Sequence, residues 1–309
     1  MNILVSGGSG YIGSFVIKSL LEKGNKISIL SRSENDCTRF YRNSVNLIIA
    51  DITKPLVFET NENFDLFIHL AAANDIDSAD PAYAINASSL GTRYALDFCK
   101  RKSIKKFIYF STYQVYGSVE GDMDEKSMLF PVNDYGITHL FAEQYIEMYN
   151  RTAQIDYIIL RPTNIFGSPM FRTTDRWSLV PSCFCKEAVE KGEINLLSSG
   201  KQARDFINVE DLASITSLYS GRFDEFKNSK VNIASGNNFT IIEIAEIVAR
   251  IYESNYHEKC KVNIHSENPK ESNVFYICKA EIDKTGFQFG NKAEIVPEID
   301  KIFKLLNNN

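Results

Sequence analysis

The chain has 309 residues, 44% hydrophobic and 24% charged, a length that can bury one large core or two smaller ones. Its formal net charge of −5 argues against a nucleic-acid partner held by bulk electrostatics, and no apolar run approaches membrane-spanning length. The six cysteines form no CxxC pair, the four histidines have no metal-site spacing, and the N-terminus lacks the order of a secretory signal. We therefore expect a cytoplasmic protein with reduced thiols and no bound metal.

The chain opens with an apolar strand at residues 2–6, a glycine turn, and a segment with helical recurrence at 14–23. A dinucleotide pyrophosphate needs this order. Gly7 permits a tight turn, Gly10 lets backbone N–H groups approach the phosphates, and Gly13 lets the helix pack on the strand. A purely structural turn is the alternative, but the strand-turn-helix setting favours a nucleotide. The predicted cofactor contacts here are Gly7, Gly10, Tyr11, Ile12 and Gly13.

The end of the second predicted strand, residues 26–30, bears on the choice of cofactor. A site for NAD usually has an acid here for the adenine ribose, whereas an arginine suits a 2′-phosphate. This chain has no acid before Glu34, and Ser31 and Arg32 follow the strand directly. An exposed loop arginine is the alternative. We favour NADP(H) over NAD(H), with Ser31 and Arg32 as cofactor contacts.

Strand-like and helix-like segments then alternate, which predicts a parallel sheet with helices on both faces. Further strands are expected at 45–50, 65–71, 106–111 and 155–161, and helices at 83–100 and 132–150. After Pro162 we expect a helix at 179–191, strands at 194–197 and 231–234, a helix at 240–252, a polar segment to about 273 and a final helix at 295–306. The fold class is α/β: a Rossmann-type doubly wound parallel sheet with a smaller mixed α/β domain towards the C-terminus.

Two segments carry candidate chemistry. Tyr135 and His139 are four residues apart in a predicted helix, so they lie on one helix face. Thr112 leaves the carboxyl end of a predicted strand, where ligands bind in open parallel sheets. Hydroxyl groups from the two segments are therefore expected to converge.

With these motifs the chain resembles the extended short-chain dehydrogenase/reductase family, the NAD(P)-dependent nucleotide-sugar epimerases, dehydratases and reductases, over nearly its whole length. The matching segments are 7–13, 51–52, 69–72, 81–92, 111–117, 160–167 and 204–211. The resemblance implies a nucleotide-diphosphate sugar as substrate and a homodimer. It also implies a cofactor domain at 1–166 with about 204–232, and a substrate domain at about 167–203 with 233–309.

The resemblance implies roles residue by residue. Tyr135 would be the general acid/base, Thr112 would hydrogen-bond the reacting oxygen, and His139 would stand at the nicotinamide ribose. The further cofactor contacts would be Asp51, Ile52, Leu70, Ala71, Ala72, Asn86, Tyr135, His139 and Pro162, and the substrate contacts Ala73, Thr112, Tyr113, Asn164, Arg204 and Lys270. For Arg204 the physics agrees, since a guanidinium matches a phosphate fork; an ion pair with Asp205 or Asp211 is the alternative.

Three departures from the family pattern matter. His139 stands where the family has a lysine that lowers the tyrosine pKa, so it is an active replacement, a weakened site or a mere helix-face residue; retention of Tyr135 favours activity. Tyr113 and Gln114 stand where 4,6-dehydratases have Asp-Glu, which argues against dehydration. Lys270 stands where many relatives have an arginine.

The leading hypothesis is NADP(H)-dependent reduction of a nucleotide-linked 4-keto sugar for surface polysaccharide precursors, with Tyr135 as general acid. The alternative is a 4-epimerase with tightly held NAD that uses the same residues. A catalytically silent NADP-binding regulator is a third possibility, against which Tyr135, Thr112 and Arg204 argue.

Overall fold

The computed structural model describes residues 1–117, 121–174, 176–265 and 275–307. The strands are β1 Asn2–Ser6, β2 Lys26–Ser31, β3 Val45–Ile49, β4 Leu66–His69, β5 Lys106–Phe110, β6 Gly121–Met123, β7 Asp156–Pro162, β8 Asn164–Phe166, β9 Glu193–Leu196, β10 Ala203–Asn208, β11 Ser229–Ile233, β12 Asn238–Thr240, β13 Lys261–Ile264 and β14 Phe275–Ile277. The α-helices are α1 Tyr11–Glu22, α2 Asp36–Phe40, α3 Pro81–Ala84, α4 Gly91–Lys102, α5 Asp134–Ala153, α6 Val180–Lys191, α7 Val209–Gly221, α8 Phe223–Phe226, α9 Ile241–Tyr256, α10 Ala280–Asp283 and α11 Ile295–Asn307. Three short 3₁₀ helices lie at Asp77–Ala79, Tyr113–Tyr116 and Lys292–Glu294, and a π-helical turn at Ile85–Leu90.

The described residues form two compact units. The first lies within Met1–Ser118, Glu125–Pro162 and Leu212–Asn232, and the second within Val119–Asp124, Thr163–Asp211 and Ile233–Asn309. The second unit therefore takes residues 163–211 as one stretch, whereas the sequence suggested breaks after 166 and before 204. The division into a cofactor and a substrate domain stays a prediction.

The first unit is built on a seven-stranded sheet in the order β11-β7-β5-β4-β1-β2-β3. Neighbouring strands from β7 to β3 pair in parallel. The strand order reverses at β1, and a ligand crevice is expected where the carboxyl ends of β1 and β4 meet. The Rossmann-type α/β fold predicted from the sequence is confirmed.

Burial on both faces explains why the strands of this sheet have nearly unbroken apolar sequences. All four residues of β4 are buried, and the rings of Phe67, Phe98 and Phe107 pack edge to face across the layer between the sheet and α4. The buried face of α5 completes the same core with Ala142 and Ile146.

The second unit contains smaller sheets, β12-β10-β8, β13-β9 and β14-β6. Its core lies among α6, α9 and α11, with Ile244, Val248 and Ile299 fully buried. Thr240 starts α9 with a capping box to Glu243, which fixes the helix where the amphipathic pattern begins.

The structure departs from the sequence expectation at several elements, among them the helix at 83–100, α7 and β13. The helix expected at 83–100 is α3, a π-helical turn and α4. Helix α7 was not predicted, because its serine and threonine side chains interrupt the apolar pattern; Thr216 and Ser220 bond carbonyl oxygens one turn earlier. Strand β13 lies in the segment expected to be polar, and pairs in parallel with β9.

No helix in the described ranges has the length and apolar character to cross a membrane. Within the same ranges, His, Cys, Asp and Glu side chains form no group suited to a metal ion. All six cysteines have free thiols.

Candidate functional site

The glycine turn after β1 approaches the end of β4 too closely for any side chain. Gly7 has φ +70°, and a Cβ there would lie 2.7 Å from the backbone nitrogen of Ala71. A Cβ on Gly13 would lie 2.1 Å from the carbonyl oxygen of Gly7. Both positions therefore require glycine, and the turn forms a backbone-lined cradle between the predicted contacts 7–13 and 70–72.

The start of α1 is suited to a phosphate. Gly10 is the N-cap of this twelve-residue helix, and no side chain caps the N–H groups of its first turn. The Gly10 N–H donates to the carbonyl oxygen of Gly7 at 3.0 Å, which closes the turn. Uncapped N–H groups and the positive end of the helix dipole make the cradle fit a dinucleotide pyrophosphate.

An exposed arginine lies at the end of β2, where the sequence predicts the adenine ribose. Arg32 follows the half-buried Ser31 at the end of β2. Burial works to raise the pKa of Asp51, but hydrogen bonds from Thr53 and the positive charges of Arg32 and Lys54 lower it overall. The positive charge of Arg32 thus acts on the segment that contains Asp51 and Ile52. In the same segment, the lack of a side chain on Gly91 lets α4 approach the Ile52 carbonyl oxygen.

The segment after β4 is held by the π-helical turn. The Ser88 hydroxyl accepts a hydrogen bond from the backbone N–H of the buried Ala73 at 3.1 Å. Asn86, half-buried, lies in the same turn. Such turns often occur at functional sites, and this one joins the predicted contacts at 70–73 and at 86.

Thr112 is buried directly after β5 and starts the Tyr113–Tyr116 turn. Its Oγ1 accepts a hydrogen bond from the Gln114 N–H at 3.2 Å. Among the described residues the Thr112 hydroxyl donates to no acceptor. The hydroxyl proton of Thr112 is therefore available for a ligand oxygen.

The start of α5 is fastened to this turn. Asn133 caps the helix by accepting from the Gly136 N–H at 2.7 Å, and its side-chain amide donates to Gln114 Oε1 at 2.9 Å. A Cβ on Gly136 would lie 2.7 Å from the Gln114 carbonyl oxygen. These contacts place the half-buried Tyr135 and the buried Thr112 on adjoining segments, while the convergence of their hydroxyl groups stays a prediction.

His139 lies one turn after Tyr135 and is 3% exposed. The two rings meet edge to face with centroids 4.6 Å apart, and His139 Nδ1 lies 2.7 Å from the hydroxyl oxygen of Tyr109. Burial lowers the pKa of His139 to about 4, so the ring is neutral at pH 7. Its Nε2 has no hydrogen-bond partner among the described residues.

A buried polar network lies behind Thr112 and Tyr135. Arg161 and Glu143 have no exposed side-chain surface and form a two-pronged ion pair, with Nη2 to Oε2 at 2.6 Å and Nε to Oε1 at 3.0 Å. The Ser111 hydroxyl donates to Glu143 at 2.5 Å, and Arg161 donates to the Tyr116 hydroxyl at 2.8 Å. Tyr116 in turn donates to Asn232. The network ties α5, β7 and β11 to the segment that follows β5.

Sequence reasoning gave no role to Glu143 or Tyr116, and Arg161 only a place in a motif. The sequence nevertheless contained a signal for the ion pair. Arg161 stands in an otherwise apolar strand and Glu143 on the apolar face of α5, and a charge in such a place needs a buried partner.

The substrate contacts expected near β8 and β10 belong to the second unit. The Asn164 amide donates to the Asp205 carbonyl at 3.0 Å. The Asp205 carboxylate accepts from the Ser235 and Gly236 N–H groups and from two hydroxyls. Within the described ranges the half-buried Arg204 forms no ion pair, so the pairing considered for it is not observed. Lys270 lies outside the described residues.

Comparison with known proteins identifies the family. The model of the NAD dependent epimerase/dehydratase family matches residues 3–234. The chain belongs to the NAD-dependent epimerase/dehydratase family. It is thus an enzyme of a family that acts on nucleotide sugars with a nicotinamide cofactor.

Members of the family resemble the chain over most of its length. A putative UDP-glucose 4-epimerase of Methanocaldococcus jannaschii is 29% identical over 259 residues, 80% of this chain and 81% of the relative. A dTDP-D-glucose 4,6-dehydratase of Dictyostelium discoideum is 28% identical over 69% of this chain and 54% of its own length. The solved UDP-glucose 4-epimerase of Thermotoga maritima has a TM-score of 0.85 at 21% identity, covering 99% of this chain and all of that one, which shows the shared fold.

Proposed function

We propose that this enzyme reduces a nucleotide-linked 4-keto sugar with NADPH and that Tyr135 donates the proton. The observation that carries the proposal is the neutral, buried His139 beside Tyr135. The resemblance leads us to expect a lysine cation there, which would lower the tyrosine pKa.

The direction of proton transfer decides whether a neutral histidine suits reduction or oxidation. A tyrosine ordinarily has a pKa near 10 and is protonated at neutral pH, so it is ready to donate. Reduction needs that donation, whereas oxidation of a sugar hydroxyl first needs the tyrosine as a base. A neutral histidine does nothing to favour the base form and therefore suits reduction.

The chain's own groups then have defined tasks. A nicotinamide cofactor held by the cradle at 7–13 would supply the hydride for the carbonyl carbon. The Thr112 hydroxyl accepts from the Gln114 N–H and donates its own proton in a hydrogen bond to the carbonyl oxygen. Tyr135 gives the proton that turns this oxygen into a hydroxyl. His139 holds a hydroxyl of the nicotinamide ribose through Nε2, and the cradle at 7–13 holds the pyrophosphate.

Two further residues support the choice of reaction and ligand. Gln114 offers no acid, and its side-chain oxygen is engaged by Asn133, which disfavours 4,6-dehydration. Arg204, without an ion pair among the described residues, is available to a substrate diphosphate. If it binds there, Arg204→Ala should weaken nucleotide-sugar binding about tenfold with little change in melting temperature.

The second candidate is a nucleotide-sugar 4-epimerase, and the comparison with the Methanocaldococcus jannaschii relative favours it. The same Tyr135 and Thr112 would serve a transient oxidation followed by reduction at one carbon.

Stoichiometry separates the two reactions. Nucleotide-linked 4-keto sugars are mixed with the enzyme and NADPH, and UDP-glucose with the enzyme and NAD in a parallel series. A reductase consumes one NADPH for each alcohol formed. An epimerase interconverts two alcohols with no net change in the cofactor, and this result would replace our proposal. In either case Tyr135→Phe should bind both ligands and lose nearly all turnover; full turnover would refute the assignment of Tyr135.

A further inference from the structure

His139, which stands where the resemblance leads us to expect a lysine, has a specific buried partner. Tyr109 is fully buried on β5, and its hydroxyl oxygen lies 2.7 Å from His139 Nδ1. A hydrogen bond of this length between two buried side chains fixes the rotation of the imidazole ring.

The surroundings hold the same ring in place. Tyr135 covers it on one side at a centroid distance of 4.6 Å. The Ser89 hydroxyl, from the π-helical turn, donates to the backbone carbonyl of Thr138 at 2.9 Å. The residue that precedes His139 is thus anchored independently of the ring, and the ring depends on Tyr109 for its polar contact.

The other ring nitrogen has no such contact. Nε2 of His139 is buried, and among the described residues it has no hydrogen-bond partner. Buried polar atoms are nearly always paired, so an unpaired one requires an explanation. A ligand hydroxyl explains it in either tautomer, because a hydroxyl can accept from N–H or donate to a bare nitrogen.

We propose that Tyr109 is a positioning residue, whose hydroxyl holds Nδ1 of His139 and thereby reserves Nε2 for a ribose hydroxyl of the nicotinamide cofactor. The proposal rests on the proposed function in one respect, that a nicotinamide dinucleotide binds beside Tyr135. Without the Tyr109 hydroxyl, His139 Nδ1 competes with Nε2 for any partner, and the ring has two orientations in place of one.

The direct test is ¹⁵N NMR of the protein labelled at its four histidines. The signals of His139 are assigned by their loss in His139→Gln. In the wild-type protein without cofactor we expect one tautomer, and NADPH should shift the Nε2 signal more than the Nδ1 signal. In Tyr109→Phe we expect a mixture of tautomers before NADPH is added. An Nε2 signal that NADPH leaves unchanged would overturn the proposal.

Cofactor affinity provides a second readout. Tyr109→Phe should weaken NADPH binding about three- to tenfold. Tyr149→Phe is the matched control. Tyr149 lies near the C-terminal end of α5, away from His139, and its hydroxyl donates to Asp97. Equal affinity in wild-type protein and Tyr109→Phe would reduce the Tyr109–His139 bond to a packing contact while leaving the proposed function intact. A wild-type protein that binds no nicotinamide nucleotide would refute the proposed function itself.

Discussion

In the proposed function, the charge of the side chain at position 139 bears on the direction of the reaction. Burial keeps His139 neutral, and its nearest polar contact is the hydroxyl of Tyr109 and not an anion. A cation in its place would favour ionisation of Tyr135, which lies in ring contact with it.

Restoring the cation should therefore move the pH profile. In His139→Lys we expect the kinetic pKa assigned to Tyr135 to fall by about one unit or more, because an opposite charge within a few ångströms favours the phenolate. The measurement is kcat against pH in both directions of the reaction. His139→Gln, neutral like histidine, is the control and should keep the wild-type profile. Identical profiles for the lysine and glutamine variants would contradict the role given to charge.

Arg32 is the residue that should select the cofactor. Arg32→Ala should lose about 1.5–3 kcal/mol of NADPH binding and little NADH binding, because only NADPH carries the 2′-phosphate. Both affinities can be measured by titration. Arg39→Ala is the control, since Arg39 lies nearby on α2 but is paired with Glu34 and Asp36. Tighter binding of NADH than of NADPH by the wild-type protein would overturn the preference.

Among the elements, α5 carries the largest share of the site. Tyr135, His139 and Glu143 follow one another at intervals of four residues, so they lie along one stripe of the helix. The two ends of the stripe are held by different means: the first turn by Asn133 and Gln114, and the third by the Arg161 ion pair.

The close approach at Gly136 should be sensitive to a single methyl group. In Gly136→Ala the Cβ would meet the Gln114 carbonyl 2.7 Å away, so the helix and the strand-end turn must separate. We expect kcat to fall at least tenfold, because misplacing a proton donor by a fraction of an ångström is costly. Gly221→Ala is the matched control, since a Cβ there meets nothing within 4 Å. Unchanged kcat in Gly136→Ala would show that the separation of the two segments does not matter.

The ion pair behind the site should matter for stability. Glu143→Gln leaves the buried Arg161 without its counter-charge, and we expect the free energy of unfolding to fall by about 3–5 kcal/mol. Urea denaturation of Glu143→Gln, Arg161→Met and the double variant measures this. The double variant should lose less than the sum of the single losses, because it leaves no unpaired buried charge. Strict additivity would mean that the two side chains are not coupled.

For the whole molecule, two buried histidines predict how stability depends on pH. Burial lowers the pKa of His69 to about 3 and that of His139 to about 4, below the value near 6.5 of an unfolded chain. From about pH 6.5 down to the folded-state pKa of each histidine the unfolded chain therefore binds more protons, so this contribution to stability is complete above pH 6.5 and is lost as the pH falls. At pH 5 each histidine accounts for about 2 kcal/mol of this loss.

Chemical denaturation at pH 7.5, 6 and 5 tests the dependence. His69→Asn should flatten the slope of stability against pH, while retaining a polar partner for Ser6. His257→Asn, which replaces an exposed histidine at a left-handed helix end, is the control for the substitution itself. If stability depends on pH in His69→Asn as it does in the wild-type protein, protonation of His69 does not destabilise the fold.

The sequence by itself determined the Rossmann-type fold, because each of its signals is local. The glycine turn, the apolar strands and the helical recurrence are set by residues close together in the chain, and β1, β2, β5, α5 and α11 lie within a few residues of their predicted positions. The same locality explains the failures. Strand β13 exists through its pairing with β9, almost seventy residues away, and α7 through burial that its own sequence does not show.

Within the candidate site, the sequence predicted which residues carry chemistry, and only the tertiary structure decided their burial, charge state and hydrogen bonds. The four-residue spacing placed His139 beside Tyr135. That His139 is neutral depends on burial, and that Nδ1 is engaged depends on Tyr109, thirty residues earlier on another element. The pairing of Glu143 with Arg161 is likewise a contact between a helix and a strand. Charge state and hydrogen bonding depend on neighbours in space, and spacing along the chain does not specify those neighbours.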